Sequence, residues 1–148
     1  MFKKIVVGLD GSEHSDHALG LACDLAQHAD AEVHIVHTPQ PQTVAFAMGA
    51  VAGYHAATTT PSEAEVQQAA DKILDQGKAV ASEHGRAIAQ AHIGNGSPAD
   101  ELVAYADNCG ADLIVTGRRG LGSVGALIQG STTQRVNHLA KCAVLSTI

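Results

Sequence analysis

The fold of this chain is decided by the stretch Lys3-Lys4-Ile5-Val6-Val7-Gly8-Leu9-Asp10-Gly11-Ser12. From Lys3 to Leu9 the run is mostly apolar and β-branched, without alternation of polar and apolar side chains. Such a run is typical of a strand covered on both faces, as strands of parallel sheets are. Asp10-Gly11-Ser12 then interrupts it with residues that favour turns and helix starts. The stretch therefore predicts a buried first strand that ends in a tight turn before a helix.

Strand-like and helix-like segments alternate along the rest of the chain. The segment from Ser15 to Ala29 carries apolar residues at helical spacing, and so does the segment after Ser62, where Ser62 and Glu65 have the spacing of a capping box. A helix is also predicted from Pro98 to Asn108, and a loop or short helix from Gln40 to Thr60. Strands separated by helices predict an α/β fold, an open parallel sheet with helices on both faces. The five predicted strands are Lys3–Leu9, Glu32–Thr38, Arg86–Ile93, Asp112–Thr116 and Cys142–Thr147.

The composition limits the class of protein. We expect the 148 residues to form one domain, residues 1–148. Aromatic residues make up only 3% of the chain, so the core must consist of Ala, Val, Leu and Ile. A net charge of −6 with nine Lys and Arg residues argues against a nucleic-acid partner. Three scattered cysteines indicate buried thiols in a reducing compartment, and no apolar run reaches the ~20 residues that cross a bilayer. We therefore expect a cytoplasmic protein without a membrane partner.

A late segment has the composition of a phosphate-binding loop. Gly117-Arg118-Arg119-Gly120 follows the fourth predicted strand, and after nine more residues comes Gly130-Ser131-Thr132-Thr133. Glycines let the backbone approach a ligand, while arginine and hydroxyl side chains donate to phosphate oxygens. Because consecutive side chains diverge, we expect only one of the two arginines to face inward. The hydroxyl run also begins a predicted helix, whose free N–H groups and dipole favour an anion.

The loop after the first strand is the second part of the candidate site. In open parallel sheets, ligands bind beyond the carboxyl ends of the strands, where the strand order reverses. If strands one and four are neighbours at that point, the loop from Gly8 to Ser12 meets the loop that begins at Gly117. Asp10 could then face ribose hydroxyls or a metal-bound phosphate. Taken alone, however, Asp10-Gly11-Ser12 is more simply an ordinary turn in which Ser12 caps the helix.

Other motifs are weaker. Gly120-Leu121-Gly122-Ser123-Val124-Gly125 fits the G-x-G-x-x-G pattern, but no acidic residue follows about 20 residues on, which argues against NAD. A G-x-x-x-x-G-K-[ST] phosphate loop is absent from the sequence. Nine histidines, among them His14 and His17, show no recognised ligand spacing with Cys or carboxylates, so we interpret them as surface or packing residues. No nucleophile and base can be paired, and at most a weak ATPase is expected.

The segment Gly117-x2-Gly120-x9-Gly130-Ser131 resembles the nucleotide-binding motif of the universal stress protein family. The resemblance covers the whole chain. The opening from Lys3 to Ser12 is similar to the family's first strand and turn. His37 at the end of strand two, Gly96-Ser97-Pro98-Ala99, and the segment from Asp112 to Gly117 also recur at family positions.

The resemblance implies a five-stranded parallel sheet of order 3-2-1-4-5 with four main helices, a Rossmann-like fold that binds adenine nucleotides. It also implies a homodimer formed through the last strand, Ala143 to Thr147, and ATP bound with Mg²⁺ or Mn²⁺. Carried over by position, the residues of the nucleotide site fall into three groups. They are Gly8, Leu9 and Asp10 around adenosine and ribose, Thr38 at adenine, and Gly117, Arg119, Gly120, Gly130, Ser131 and Thr132 around the phosphates. We also include Ser12, Arg118 and Thr133 among the predicted nucleotide-binding residues.

The chain departs from the family at Thr38, where many relatives have an apolar residue; this substitution could weaken adenine packing or add a hydrogen bond. Our first hypothesis is an ATP-binding stress-response regulator, in which the nucleotide is a conformational ligand and an unidentified protein is the partner. The alternatives are a metal-dependent ATP hydrolase that uses Asp10, or a nucleotide-independent adaptor. Another adenine nucleotide could occupy much of the same pocket. We expect Gly117→Val to abolish nucleotide binding and leave the fold intact.

Overall fold

The computed structural model describes residues 1–49, 60–120 and 130–148. Over these residues it contains a five-stranded parallel sheet in the order β3-β2-β1-β4-β5, as the sequence comparison implied. Helices join the strands and lie on both faces of the sheet. In chain order the elements are β1 Lys4–Leu9, α1 Glu13–Ala29, β2 Glu32–His37, α2 Pro41–Ala47, α3 Glu63–Glu83, β3 Gln90–Ile93, α4 Pro98–Cys109, β4 Leu113–Gly117, α5 Ser131–Leu139 and β5 Ala143–Thr147.

The central strand β1 is paired along both edges. It pairs with β2 from Lys4↔Glu32 to Leu9↔His37, and with β4 from Ile5↔Leu113 to Val7↔Val115. At its start, the Asp112 carboxylate accepts hydrogen bonds from the backbone N–H groups of Lys3 and Lys4, at 2.7 and 2.9 Å. These bonds fix the register of β4 against β1, and with it the level at which both strands end.

The core has two layers, one on each face of the sheet. Ile5, Val7 and Leu9 of β1 face α1 and α3, whereas Val6 faces α4 and α5. Small residues allow close packing: a Cβ on Gly77 of α3 would lie 2.6 Å from Leu9 Cδ1. The expectation of a core built from Ala, Val, Leu and Ile is confirmed in the described residues.

Two helix starts follow the sequence signals. Ser62 and Glu65 form the predicted capping box at the start of α3, with the Ser62 hydroxyl accepting from Glu65 N–H and the Glu65 carboxylate accepting from Ser62 N–H. Ser12 is the N-cap of α1, so this helix begins at Glu13 rather than at Ser15. Among the described residues, no helix combines the length and apolar character needed to cross a membrane.

Two elements differ from the prediction. β3 spans four residues and not Arg86–Ile93, because it is an edge strand whose pairing with β2 starts only at His34↔Gln90. Before this strand, the Arg86 guanidinium donates a hydrogen bond to the Ala31 carbonyl, which connects Arg86 to the residue preceding β2. The segment from Gln40 begins with the short helix α2. The remainder of that segment, residues 50–59, lies outside the described residues.

Candidate functional site

The candidate site is a cavity of about 300 Å³ at the carboxyl edge of the sheet, where the strand order reverses. From β1 the chain first extends the sheet on one side through β2 and β3, and then crosses to the other side to form β4 and β5. The loops that follow β1 and β4 therefore diverge to opposite faces and leave a crevice between them. Both loops contribute to its lining, as predicted for neighbouring strands one and four.

Of the thirteen residues predicted for the site, eleven line this cavity. They are Gly8, Leu9, Asp10, Thr38, Gly117, Arg119, Gly120, Gly130, Ser131, Thr132 and Thr133. The structure does not bring Ser12 or Arg118 to the cavity. Ser12 is buried and caps α1, its Oγ accepting from Ser15 N–H at 3.2 Å.

The two consecutive arginines diverge. Arg119 lines the cavity and is half-buried, whereas the Arg118 side chain is exposed. The backbone of Arg118 instead ties three elements together: its N–H donates to the Thr147 carbonyl of β5, and its carbonyl accepts from Gly130 N–H at 2.9 Å. The prediction that only one arginine faces inward is confirmed, and the arginine left outside holds the two ends of the loop together.

The loops after β1 and β4 meet at Asp10. Its Oδ1 accepts from Ser12 N–H at 2.9 Å, an Asx turn that accompanies the positive φ of 87° at Gly11. A Cβ placed on Gly120 would overlap Asp10 Oδ2. The absence of a side chain at position 120 therefore lets the second loop pass directly over the carboxylate.

Gly117 is required for a different reason from the one expected. A Cβ at this position would lie 2.8 Å from the backbone carbonyl carbon of His14 and 2.9 Å from its oxygen. The glycine thus lets the end of β4 approach the first turn of α1. This geometry argues against the expectation that Gly117→Val leaves the fold intact, because the new side chain would meet helix backbone that cannot move without shifting α1.

The first turn of α5 forms one end of the cavity. Its N-cap, Gly130, has no side chain with which to cap the helix. Ser131 and Thr132 lie at the first two helical positions and line the cavity. Thr133 is 3% exposed, and its hydroxyl donates to the Gly117 carbonyl at 2.8 Å. Gly130 N–H donates to the Arg118 carbonyl and Gln134 N–H to the Gly130 carbonyl, whereas the backbone N–H groups of Ser131, Thr132 and Thr133 have no acceptor among the described residues and are available to an anion.

The other end of the cavity has an apolar floor. Val36 of β2 and Leu102 of α4 form part of it, and they pack together in the core layer, where a Cβ on Gly8 would lie 2.8 Å from Leu102 Cδ2. Thr38 lies at this end with its hydroxyl buried and without a hydrogen-bond partner among the described residues. The described lining has no charged side chain at this end, which suits the face of an uncharged ring system.

Sequence reasoning missed seven lining residues. Two of them could have been found from the sequence, because they lie at the ends of predicted elements. Thr116 immediately precedes the phosphate-type loop, and Pro98 begins α4. α2 was not predicted as a definite element, and its residues could not be placed. It is held beside the cavity by the Gln40 amide, which donates to the Gly96 carbonyl at 2.8 Å. The missed residues are Val36, Gln40, Gln42, Thr43, Pro98, Leu102 and Thr116.

His37 supports the site from behind. Its Nδ1 donates to the Leu9 carbonyl at 2.8 Å, which joins the carboxyl ends of β1 and β2. Nε2 is buried and has no hydrogen-bond partner among the described residues. Burial lowers the pKa of the imidazole below its usual range, against the smaller opposing effects of the Leu9 bond and the Asp10 charge. His37 is therefore a neutral structural donor at physiological pH.

The charged side chains of the described lining are Asp10 and Arg119. Together with the free N–H groups of α5, Arg119 makes the α5 end suitable for phosphate. Within the described residues, no group of three His, Cys, Asp or Glu side chains could hold a metal ion. All residues of the G-x-G-x-x-G pattern after Gly120, from Leu121 to Gly125, lie outside the described residues.

Comparison with known proteins identifies the family. The model of the universal stress protein family matches residues 1–147. This chain belongs to the universal stress protein family. Universal stress protein YxiE of Bacillus subtilis (strain 168) is 33% identical over 146 residues, which cover 98% of each chain.

Solved structures of universal stress proteins have the same fold. One, crystallised in complex with cAMP, is 25% identical, with a TM-score of 0.70 over 99% of this chain and 97% of the other. Another, from Archaeoglobus fulgidus, superposes with a TM-score of 0.72 at 23% identity, over 99% of this chain and 98% of that one. At this identity the second similarity concerns the fold alone. The predicted sheet order and family are thus confirmed together.

Proposed function

We propose that this universal stress protein binds an adenine nucleotide in the cavity between β1 and β4 and acts as a regulator that responds to it. The observation that carries the proposal is the pairing of an apolar floor with an uncapped helix N-terminus at opposite ends of one cavity. A purine is flat and largely apolar on its faces, whereas phosphates need donors. The crystal structure of the relative in complex with cAMP supports an adenine nucleotide as the ligand.

The chemistry of the lining orients the nucleotide. The base would lie on the apolar floor formed by Val36 and Leu102, beside Thr38. Asp10 would accept hydrogen bonds from ribose hydroxyls, since a carboxylate is a strong acceptor. The phosphates would then receive donors from Arg119, Ser131 and Thr132 and from the backbone of the α5 turn.

Charge balance favours a divalent cation with ATP. The formal charges of Asp10 and Arg119 cancel, and the nine residues between Gly120 and Gly130 include no charged residue. A triphosphate would therefore bring uncompensated negative charge into the cavity. Mg²⁺ or Mn²⁺, held mainly by phosphate oxygens, would offset it. Because cAMP carries a single negative charge, it would need no metal.

We expect ATP to act as a conformational ligand with little or no hydrolysis. Asp10 carries the one carboxylate of the described lining, and in this placement it lies at the ribose rather than beside the phosphates, where an attacking water molecule would have to be positioned. β5 is an edge strand, and by family resemblance we propose that a second copy pairs along it in a cytoplasmic homodimer. An unidentified protein would read the nucleotide-bound state.

The first test is to denature purified protein, identify any released nucleotide by mass-resolved chromatography, and titrate the apo protein by calorimetry. The ligands are Mg-ATP, ATP with EDTA, cAMP and adenosine. Saturable binding of an adenine nucleotide is expected, with ATP but not cAMP weakened by EDTA. Flat titrations at millimolar concentrations would refute nucleotide binding and favour the adaptor class. ATP turnover well above background that is lost in Asp10→Ala would instead favour the hydrolase.

A further inference from the structure

We propose that Thr133 is a positioning residue: its side chain fixes the N-terminus of α5 to the end of β4 and so sets where phosphate binds. Resting on the proposed nucleotide function, this inference gives Thr133 a different task from that of Ser131 and Thr132. All three hydroxyls are consecutive and all three residues line the cavity. Their sequence context therefore does not distinguish them, but their hydrogen bonds do.

The hydroxyl proton of Thr133 is already used. A carbonyl oxygen can only accept, so in the 2.8 Å bond between Thr133 Oγ1 and the Gly117 oxygen, the hydroxyl must donate. The remaining lone pairs of Oγ1 can accept, and Thr116 Oγ1 lies 3.5 Å away as a weak donor. A phosphate oxygen offers lone pairs and needs a donor. Thr133 therefore has no proton to give to a phosphate while this bond is in place.

The bond joins two elements that both need a defined position. Gly117 is the last residue of β4 and is packed against the backbone of His14, so its carbonyl belongs to the rigid part of the fold. Thr133 lies in the first turn of α5 and is 3% exposed. A second bond, from Gly130 N–H to the Arg118 carbonyl, attaches the same turn at its N-cap. The first turn of α5 is thus held by two hydrogen bonds, which it donates to the adjacent carbonyls of Gly117 and Arg118.

Loss of the Thr133 bond would weaken the attachment of this turn to the end of β4, where the Gly130 bond would remain, while Arg135 of the next turn would still bind Asp100 of α4. The N–H groups of Ser131 and Thr132 would then sample a range of directions instead of pointing into the cavity together. Prealigned donors bind an anion better than mobile ones, because their order does not have to be created on binding. Phosphate affinity should fall, whereas the apolar end of the cavity, lined by Val36 and Leu102 on other elements, should be unaffected.

The experiment compares Thr133→Val, which keeps the shape and loses the hydroxyl, with Thr133→Ser, which keeps the hydroxyl. We expect Thr133→Val to weaken Mg-ATP and cAMP binding about tenfold and to change adenosine binding less than about twofold, as for the loss of one ordered hydrogen bond. Thr133→Ser should restore most of the affinity. An equal loss for ATP and adenosine would overturn the proposal, since it would indicate a general effect on the fold.

Amide hydrogen exchange of the apo protein separates positioning from direct binding. Thr133→Val should speed exchange at Gly130 and Gln134, whose N–H groups form the bonds at the start of α5. Ser131→Ala, the matched control, should weaken ATP binding without changing exchange at these amides. Unchanged exchange in Thr133→Val would overturn the proposal. If the wild-type protein bound no nucleotide, the proposed function would fail, while the exchange data would still decide whether Thr133 fixes α5.

Discussion

Gly117 at the end of β4 lies against the backbone of His14 in α1, so that a Cβ on the glycine would stand 2.8 Å from the His14 carbonyl carbon. The phosphate-type loop and the first helix are therefore mechanically linked. We predict that Gly117→Val destabilises the protein by about 1–3 kcal/mol, the usual range for overpacking against neighbours that cannot give way. Urea unfolding followed by circular dichroism measures this change.

The control for Gly117→Val is Ala104→Val, which places the same final side chain on the exposed face of α4. It should cost less than about 1 kcal/mol, since only helix propensity is affected. A Gly117→Val protein as stable as the wild type would show that α1 and β4 do not approach each other as described.

Gly120 and Asp10 are expected to be coupled in nucleotide binding. Because a Cβ on Gly120 would overlap Asp10 Oδ2, Gly120→Ala should displace the carboxylate. We predict weaker nucleotide binding in this variant, with a change in the free energy of unfolding below about 1 kcal/mol because the contact is with the end of a side chain. Calorimetry with Mg-ATP measures the binding.

A double-mutant cycle tests the coupling between these residues. In an Asp10→Ala background, Gly120→Ala should have a much smaller effect on affinity than in the wild type, since its target is missing. Additive effects of the two substitutions would mean that the alanine acts on the ligand directly and not through Asp10.

Much of the site could be predicted because it lies at strand ends that the sequence marks clearly. The runs ending at Leu9 and Thr116 are apolar and are followed at once by glycines, so both loops could be assigned to one edge of a parallel sheet. The inward direction of one arginine followed from the divergence of consecutive side chains. These features depend on local sequence and on general rules of parallel sheets.

Other features depend on distances between elements, which local patterns do not contain. Nothing near Gly117 in the sequence indicates that His14 limits the space around it. Two hydrogen bonds likewise join segments that are far apart in the chain. One links Thr133 to Gly117, and the other links Gln40 to Gly96. β3 was overextended because an apolar pattern does not reveal where pairing with β2 begins. These features are set by tertiary packing, which the periodicity of the sequence does not predict.

The buried hydroxyl of Thr38 predicts a gain in stability on its removal. Thr38 is 5% exposed, and its Oγ1 has no hydrogen-bond partner among the described residues. Burying an unpaired hydroxyl is unfavourable, so the isosteric Thr38→Val should stabilise the apo protein by about 1 kcal/mol. Thr38→Ser, which keeps the hydroxyl and loses the methyl group, should be less stable than the wild type.

Thr38→Val also tests whether Thr38 adds a hydrogen bond to adenine or only weakens the packing against it. Because Oγ1 is buried, we expect no hydrogen bond to the base and adenosine affinity within about twofold of the wild type, measured by calorimetry. A larger loss of affinity would show that the hydroxyl turns to contact adenine.

Stability should depend on pH through His37. Burial lowers the folded-state pKa of its imidazole below the unfolded value of 6.5, so below that pH the unfolded chain binds a proton that the folded chain does not. Stability is therefore complete above about pH 6.5 and falls as the pH drops from there to the folded-state pKa. The slope contributed by this one group is at most about 1.4 kcal/mol per pH unit.

In His37→Asn, the amide nitrogen can take the place of Nδ1 as donor to Leu9 without titrating. Urea unfolding at pH 7.5, 6.5 and 5.5 should show a steeper loss in the wild type than in the variant. Parallel curves would mean that another group is responsible for the acid sensitivity.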